Sequence, residues 1–150
     1  MAVDREKIAA RISEIQTAVD RLERYAAMDL HEFLSSDEHV AAAKYYLLTT
    51  IEGCISICTH IAAKEIHKVP EGYAVCFKLL SDHKLIDVEL ANSLGKMAGF
   101  RNLPIHHYWD IDDQKTHQFI SSGLKDVKNY IEIIGEKYLK KTPPHKHPET

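Results

Sequence analysis

Most of the groups that could do chemistry gather in one short segment, Arg101-Asn102-Leu103-Pro104-Ile105-His106-His107-Tyr108-Trp109. Arg101 is a permanent cation whose planar fork fits a phosphate. His106 and His107 belong to the one side-chain type that titrates near neutrality unperturbed, which suits proton transfer. Asn102 both donates and accepts, and Tyr108 offers a phenolic oxygen. On a helix, Asn102 and His106 are four apart and share a face. Arg101 and His106 are five apart, and at 3.6 residues per turn they splay by about 140°. Pro104 removes an amide donor and disfavours helical geometry at Leu103. A kink or break is therefore expected, and it would let Arg101 and His106 reach one pocket. A second copy of the segment, brought by another protomer, would serve the same end. His107 is expected to face solvent and Trp109 to pack.

Other candidate groups read as ordinary structure. Cys54, Cys58 and His60 fall on a helical stretch with no second ligand pair, so no zinc site is expected and the cysteines are read as small buried hydrophobes. His145 and His147 receive no role. The chain has 150 residues, 45% hydrophobic and 27% charged, with net charge -3. That suits one domain with its own core. It excludes coating nucleic acid by bulk charge, while leaving room for a local basic site. Three cysteines without framework spacing point to reduced thiols and a cytoplasmic location. The N-terminus is charged and amphipathic, without the apolar core of a signal peptide. No continuous apolar run approaches the ~20 residues that span a bilayer, so no membrane association is expected.

The elements that must position the segment read as helices. Ile8, Ile12, Ile15, Val19, Leu22 and Tyr25 mark one face over residues 4–28, with Asp4 as N-cap. Residues 29–37 read as a connection, with Ser35, Ser36 and Asp37 as caps for the next helix. Val40, Ala43, Leu47, Ile51, Cys54, Ile55, Cys58 and Ile61 mark a long helix over 38–67. Val69-Pro70-Glu71-Gly72 breaks it. A shorter helix covers 73–83. Asp87 opens another, with Leu90, Leu94, Met97 and Phe100 on its inner face, and this one runs into the segment. A last helix spans 113–139. No stretch alternates as a strand does. The expectation is an all-α bundle of four main helices plus one short helix, a single domain over 1–140, and a disordered tail over 141–150.

The pattern Arg-x4-His-x-Tyr, with Asn after the Arg, resembles the signature of the HepT family, small HEPN-domain proteins encoded beside a minimal nucleotidyltransferase. The resemblance extends over residues 51–115. It includes the acid Glu52, the pair His60-Ile61, Met97-Ala98-Gly99-Phe100 before the Arg, and Trp109-Asp110-Ile111-Asp112 after the Tyr. Pro104 stands where the family usually has Leu- or Val-type residues. Ser56 and Thr59 stand where Asp and Asn are frequent.

The resemblance implies a HEPN-type homodimer and a metal-independent ribonuclease toxin of a type VII toxin–antitoxin pair. RNA, including tRNA, would be cut by attack of the ribose 2′-OH on the adjacent phosphate, with no metal or cofactor. His106 would transfer the proton and Arg101 would hold the phosphate. Asn102 would orient the phosphate or the histidine, and Glu52 would be an acid partner. Tyr108 matches the tyrosine to which the partner, an MNT-type nucleotidyltransferase antitoxin, adds AMP. The added bulk and negative charge would repel RNA. The alternative is a non-catalytic module that binds a nucleotide or the nucleotidyltransferase.

Overall fold

The structure, a computed structural model, describes residues 2–102 and 112–140, the side chains of Arg101 and Asn102 apart. Six α-helices stand among these residues, and no strand does. They are α1 (Arg5–Ala26), α2 (Leu30–Leu34), α3 (Asp37–Ile61, extended by a π turn at Ala62–Ile66), α4 (Tyr73–Asp82), α5 (Val88–Ala98) and α6 (Asp113–Tyr138). A 3-10 turn, Gly99–Asn102, follows α5. All five expected helices are present. The sixth, α2, lies inside 29–37, where the sequence reads as a connection. The tail 141–150 lies outside the described residues.

Side-chain caps set the helix starts. Asp4 Oδ1 accepts from the Lys7 amide at 3.1 Å, Ser36 Oγ from His39 at 3.2 Å, and Asp87 Oδ1 from Leu90 at 2.7 Å. Each such bond satisfies one amide left open at a helix N-terminus, a contribution of about 1 kcal/mol. α2 uses the same device, with Asp29 Oδ1 accepting from Glu32 at 2.7 Å.

α3 is the central helix and packs on α1, α4, α5 and α6. Ile51, Cys54, Ile57, Cys58 and Ile61 are fully buried along it. By length and composition alone Asp37–Ile66 could cross a membrane, but 61% of its most apolar stretch is buried in the bundle, as befits a core helix. Gly53 permits the close approach of α1. A Cβ there would meet Ile15 Cγ1 at 2.6 Å. Tyr130 of α6 is fully buried and donates its hydroxyl to the Cys54 carbonyl of α3 at 3.1 Å. Phe77 of α4 meets the Tyr130 ring edge-on at 5.8 Å.

The cysteines depart from the expectation of three reduced thiols. Cys58 on α3 and Cys76 on α4 are joined as a disulfide, with Cα atoms 6.2 Å apart. That spacing lies inside the ordinary range for such a bond. Cys54 is free and buried, and burial pushes its thiol far up.

His60 carries a pH-dependent contact. The Asp4 amide, at the start of α1, donates to His60 Nε2 at 2.9 Å. Nε2 must therefore be the unprotonated nitrogen. Burial lowers the His60 pKa from its usual 6.5; the nearby Lys7 and Lys64 cations lower it further, and the Asp4 carboxylate opposes them. The folded chain thus favours neutral His60 more than the unfolded chain does. This contribution to stability is full above pH 6.5 and is lost as pH falls through the lowered folded value. The melting temperature is expected to fall as pH is taken from 7 to 5. His60→Gln keeps an acceptor without a charge and should flatten that part of the profile. A pH profile unchanged by the substitution would count against this contact.

Candidate active site

Both flanks of segment 103–111 are anchored on the first two turns of α6. On the N-terminal side, α5 gives up α-helical geometry at Ala98, and the 3-10 turn carries the chain through Arg101 and Asn102. Phe100, in that turn, packs edge-on against Phe119 of α6, with ring centroids 5.8 Å apart. The 3-10 turn also contacts α3.

On the C-terminal side, Asp112 caps α6. Its Oδ1 accepts from the Gln114 and Lys115 amides at 2.8 and 3.1 Å, and its carbonyl accepts from the Thr116 hydroxyl at 3.0 Å. Next to it, Asp113 Oδ1 meets Lys44 Nζ of α3 at 2.6 Å. Asp113 and Phe119 are six residues apart, so the two anchors are about 9 Å apart along α6 at 1.5 Å per residue.

A third bond fixes this end of α6. His117 Nε2 lies 2.7 Å from the Met28 carbonyl, between α1 and α2. A carbonyl can only accept, so Nε2 carries the proton. The His117 ring also rests on Phe33 of α2, with centroids 5.0 Å apart. α2, which lacks a sequence signature, therefore supports the element on which the segment ends.

Arg101 and Asn102 sit on the 3-10 turn, so the straight α-helix on which Arg101 would splay from His106 ends before Pro104 is reached. Pro104, His106, His107, Tyr108 and Trp109 lie outside the described residues. Glu52 stands on the exposed side of α3, lining a shallow groove with Arg11, Glu14, Tyr45 and Ser56. Ser56 accepts from Arg11 Nε at 3.0 Å, and the Arg11 guanidinium also holds Glu14. Among the described residues no three His, Cys, Asp or Glu side chains gather as a metal site.

Sequence reasoning missed Lys44, only 5% exposed despite its charge. The signal was present: Lys44, Leu47, Ile51 and Ile55 fall at i, i+3, i+7 and i+11, so the lysine sits on the apolar stripe.

Comparison with known proteins agrees with this architecture. A family model described as Ribonuclease HepT-like matches residues 15–134. An mRNA nuclease HepT of Shewanella oneidensis is 30% identical over 83 residues, 55% of this chain and 62% of that nuclease. A tRNA nuclease HepT of Aphanizomenon flos-aquae is 28% identical over 129 residues, 85% of this chain and 86% of that protein. The tri-AMPylated HEPN toxin of Shewanella oneidensis, solved in complex with its MNT antitoxin, superposes with a TM-score of 0.77 at 25% identity. The superposition covers 87% of this chain and 97% of that one. The fold, the match over residues 15–134 and the segment beginning at Arg101 agree: the chain belongs to the HepT-like ribonuclease family.

Proposed function

We propose that this protein is a cytoplasmic, metal-independent ribonuclease toxin, active as a homodimer. Arg101 holds the scissile phosphate and stabilises its growing charge. His106 moves the proton of the attacking 2′-OH or of the leaving 5′-oxygen. Asn102 orients the phosphate or the histidine, and Glu52 supports the site from α3. The observation that carries the reading is the family match across residues 15–134, which encloses Arg101-x4-His106-x-Tyr108.

Neutralisation follows from the same segment. An MNT-type nucleotidyltransferase antitoxin transfers AMP from ATP to the Tyr108 oxygen, which attacks the α-phosphorus and displaces pyrophosphate. The AMP sets a negative charge two residues from His106, where RNA phosphate must bind. Purified protein should cut total RNA in the presence of EDTA. A strict metal requirement overturns the mechanism, and no cleavage under any condition favours a non-catalytic nucleotide- or partner-binding module. With ATP and the nucleotidyltransferase, the protein should gain the mass of one or more AMP units and lose cleavage. Tyr108→Phe should gain none and stay active. A Tyr108→Phe protein that is modified and silenced like the wild type removes Tyr108 from the scheme.

A further inference from the structure

We propose that Lys44 and Asp113 are positioning residues for the catalytic segment, a proposal that rests on the ribonuclease reading for its activity arm only. Lys44 lies on the apolar stripe of α3 with a side chain only 6% exposed, and its ammonium meets the half-exposed Asp113 at 2.6 Å. The contact joins residues 69 apart in the chain and falls one residue after the Asp112 cap, where segment 103–111 ends. The other anchor, Phe100 on Phe119, is an edge-on contact between apolar rings with no hydrogen bond or ion pair of its own. The ion pair is directional, and its lysine end is shielded from water. It fixes the first turn of α6 against α3, and with it the height at which the segment returns. α3 is also the helix that contacts the 3-10 turn bearing Arg101. One helix thus references both ends of the segment, and Lys44 is its polar contact to the far end. Neither residue touches the reacting atoms on this reading.

The test compares Lys44→Met, Asp113→Asn, the double substitution and Asp113→Glu in the full chain. Lys44→Met keeps the length and apolar stem of the lysine without its charge, so the bundle should still fold. Both single variants should lower kcat for RNA cleavage by about tenfold or more, with KM little changed, because small misplacements of reacting groups act on the chemical step. The double variant should be no worse than Lys44→Met, since without the ammonium Asp113 has no part of this ion pair left to lose. Asp113→Glu should recover most of the rate, because its half-exposed site has room for a methylene. Amide hydrogen exchange gives a readout independent of activity: residues 103–111 should exchange faster in Lys44→Met, while the core of α3 stays protected. A wild-type kcat and wild-type exchange in Lys44→Met would overturn the proposal, as would additive losses in the double variant. If the wild type cuts no RNA, the ribonuclease reading fails, and the exchange measurement still decides the positioning role. Loss of core protection in both Lys44→Met and Asp113→Asn would reassign the pair to general stability and overturn it.

Discussion

Replacing His106 with alanine is expected to lower RNA cleavage by about 10²- to 10⁴-fold, the range contributed by a positioned general acid or base. Arg101→Ala should cost on the order of 10²- to 10³-fold, as when one donor to a developing oxyanion is removed. The two effects should not add fully, because the phosphate must be held before a proton transfer to it matters. Neither change should unfold the bundle. Among the described residues the hydrophobic cluster is built from side chains of the helices, and each change replaces a single polar or charged side chain. Cleavage of RNA under EDTA, followed by gel, measures the rate, and the melting temperature serves as the control. Folded variants that cleave at wild-type rate would remove both residues from the chemistry. Growth arrest on expression should disappear with the activity; arrest that persists in both variants would separate toxicity from cleavage.

Helix positions were legible in the sequence wherever a local signature sufficed. Asp4 and Asp87 cap the helices that they were expected to start, and Ser36 proved to be the cap among three candidates. The apolar period over 38–67 predicted a helix that the structure continues to Ile66 through a π turn. Features made only by tertiary contact were not legible. Cys58 and Cys76 are 18 residues apart, and only the turn between α3 and α4 brings them together. Lys44 reads as a surface charge until its place on the apolar stripe is noticed. Within the segment, residue identity was readable but not geometry, because the relation of Arg101 to His106 depends on where the α-helix stops. It stops at Ala98, five residues before Leu103, the position disfavoured by Pro104. A glycine next in line, with low helix propensity, favours that earlier end.

Phe33→Ala is expected to have the largest effect on stability of any change outside the long helices. α2 is five residues long, far too short to hold itself by hydrogen bonding and propensity. It also shows no readable period, which is why residues 29–37 look like a connection. What holds it is Phe33, fully buried, with Tyr25 edge-on at 6.4 Å and the His117 ring at 5.0 Å. Truncating a buried Phe costs about 3–5 kcal/mol. For a chain of this size that lowers the melting temperature by about 10 °C. Leu34, the next residue, is 36% exposed, and its alanine variant should change little. The contrast between neighbours on one short helix isolates burial from helix propensity. A Phe33→Ala protein that melts within 2 °C of the wild type would show that α2 is not held by this ring. The functional consequence follows from His117, which packs on Phe33 while donating to the Met28 carbonyl. Losing the ring frees one side of that imidazole and should loosen the first turns of α6, where the flanks of segment 103–111 are fixed. Cleavage by Phe33→Ala should therefore decline at temperatures well below its own melting transition, whereas Leu34→Ala should track the wild type.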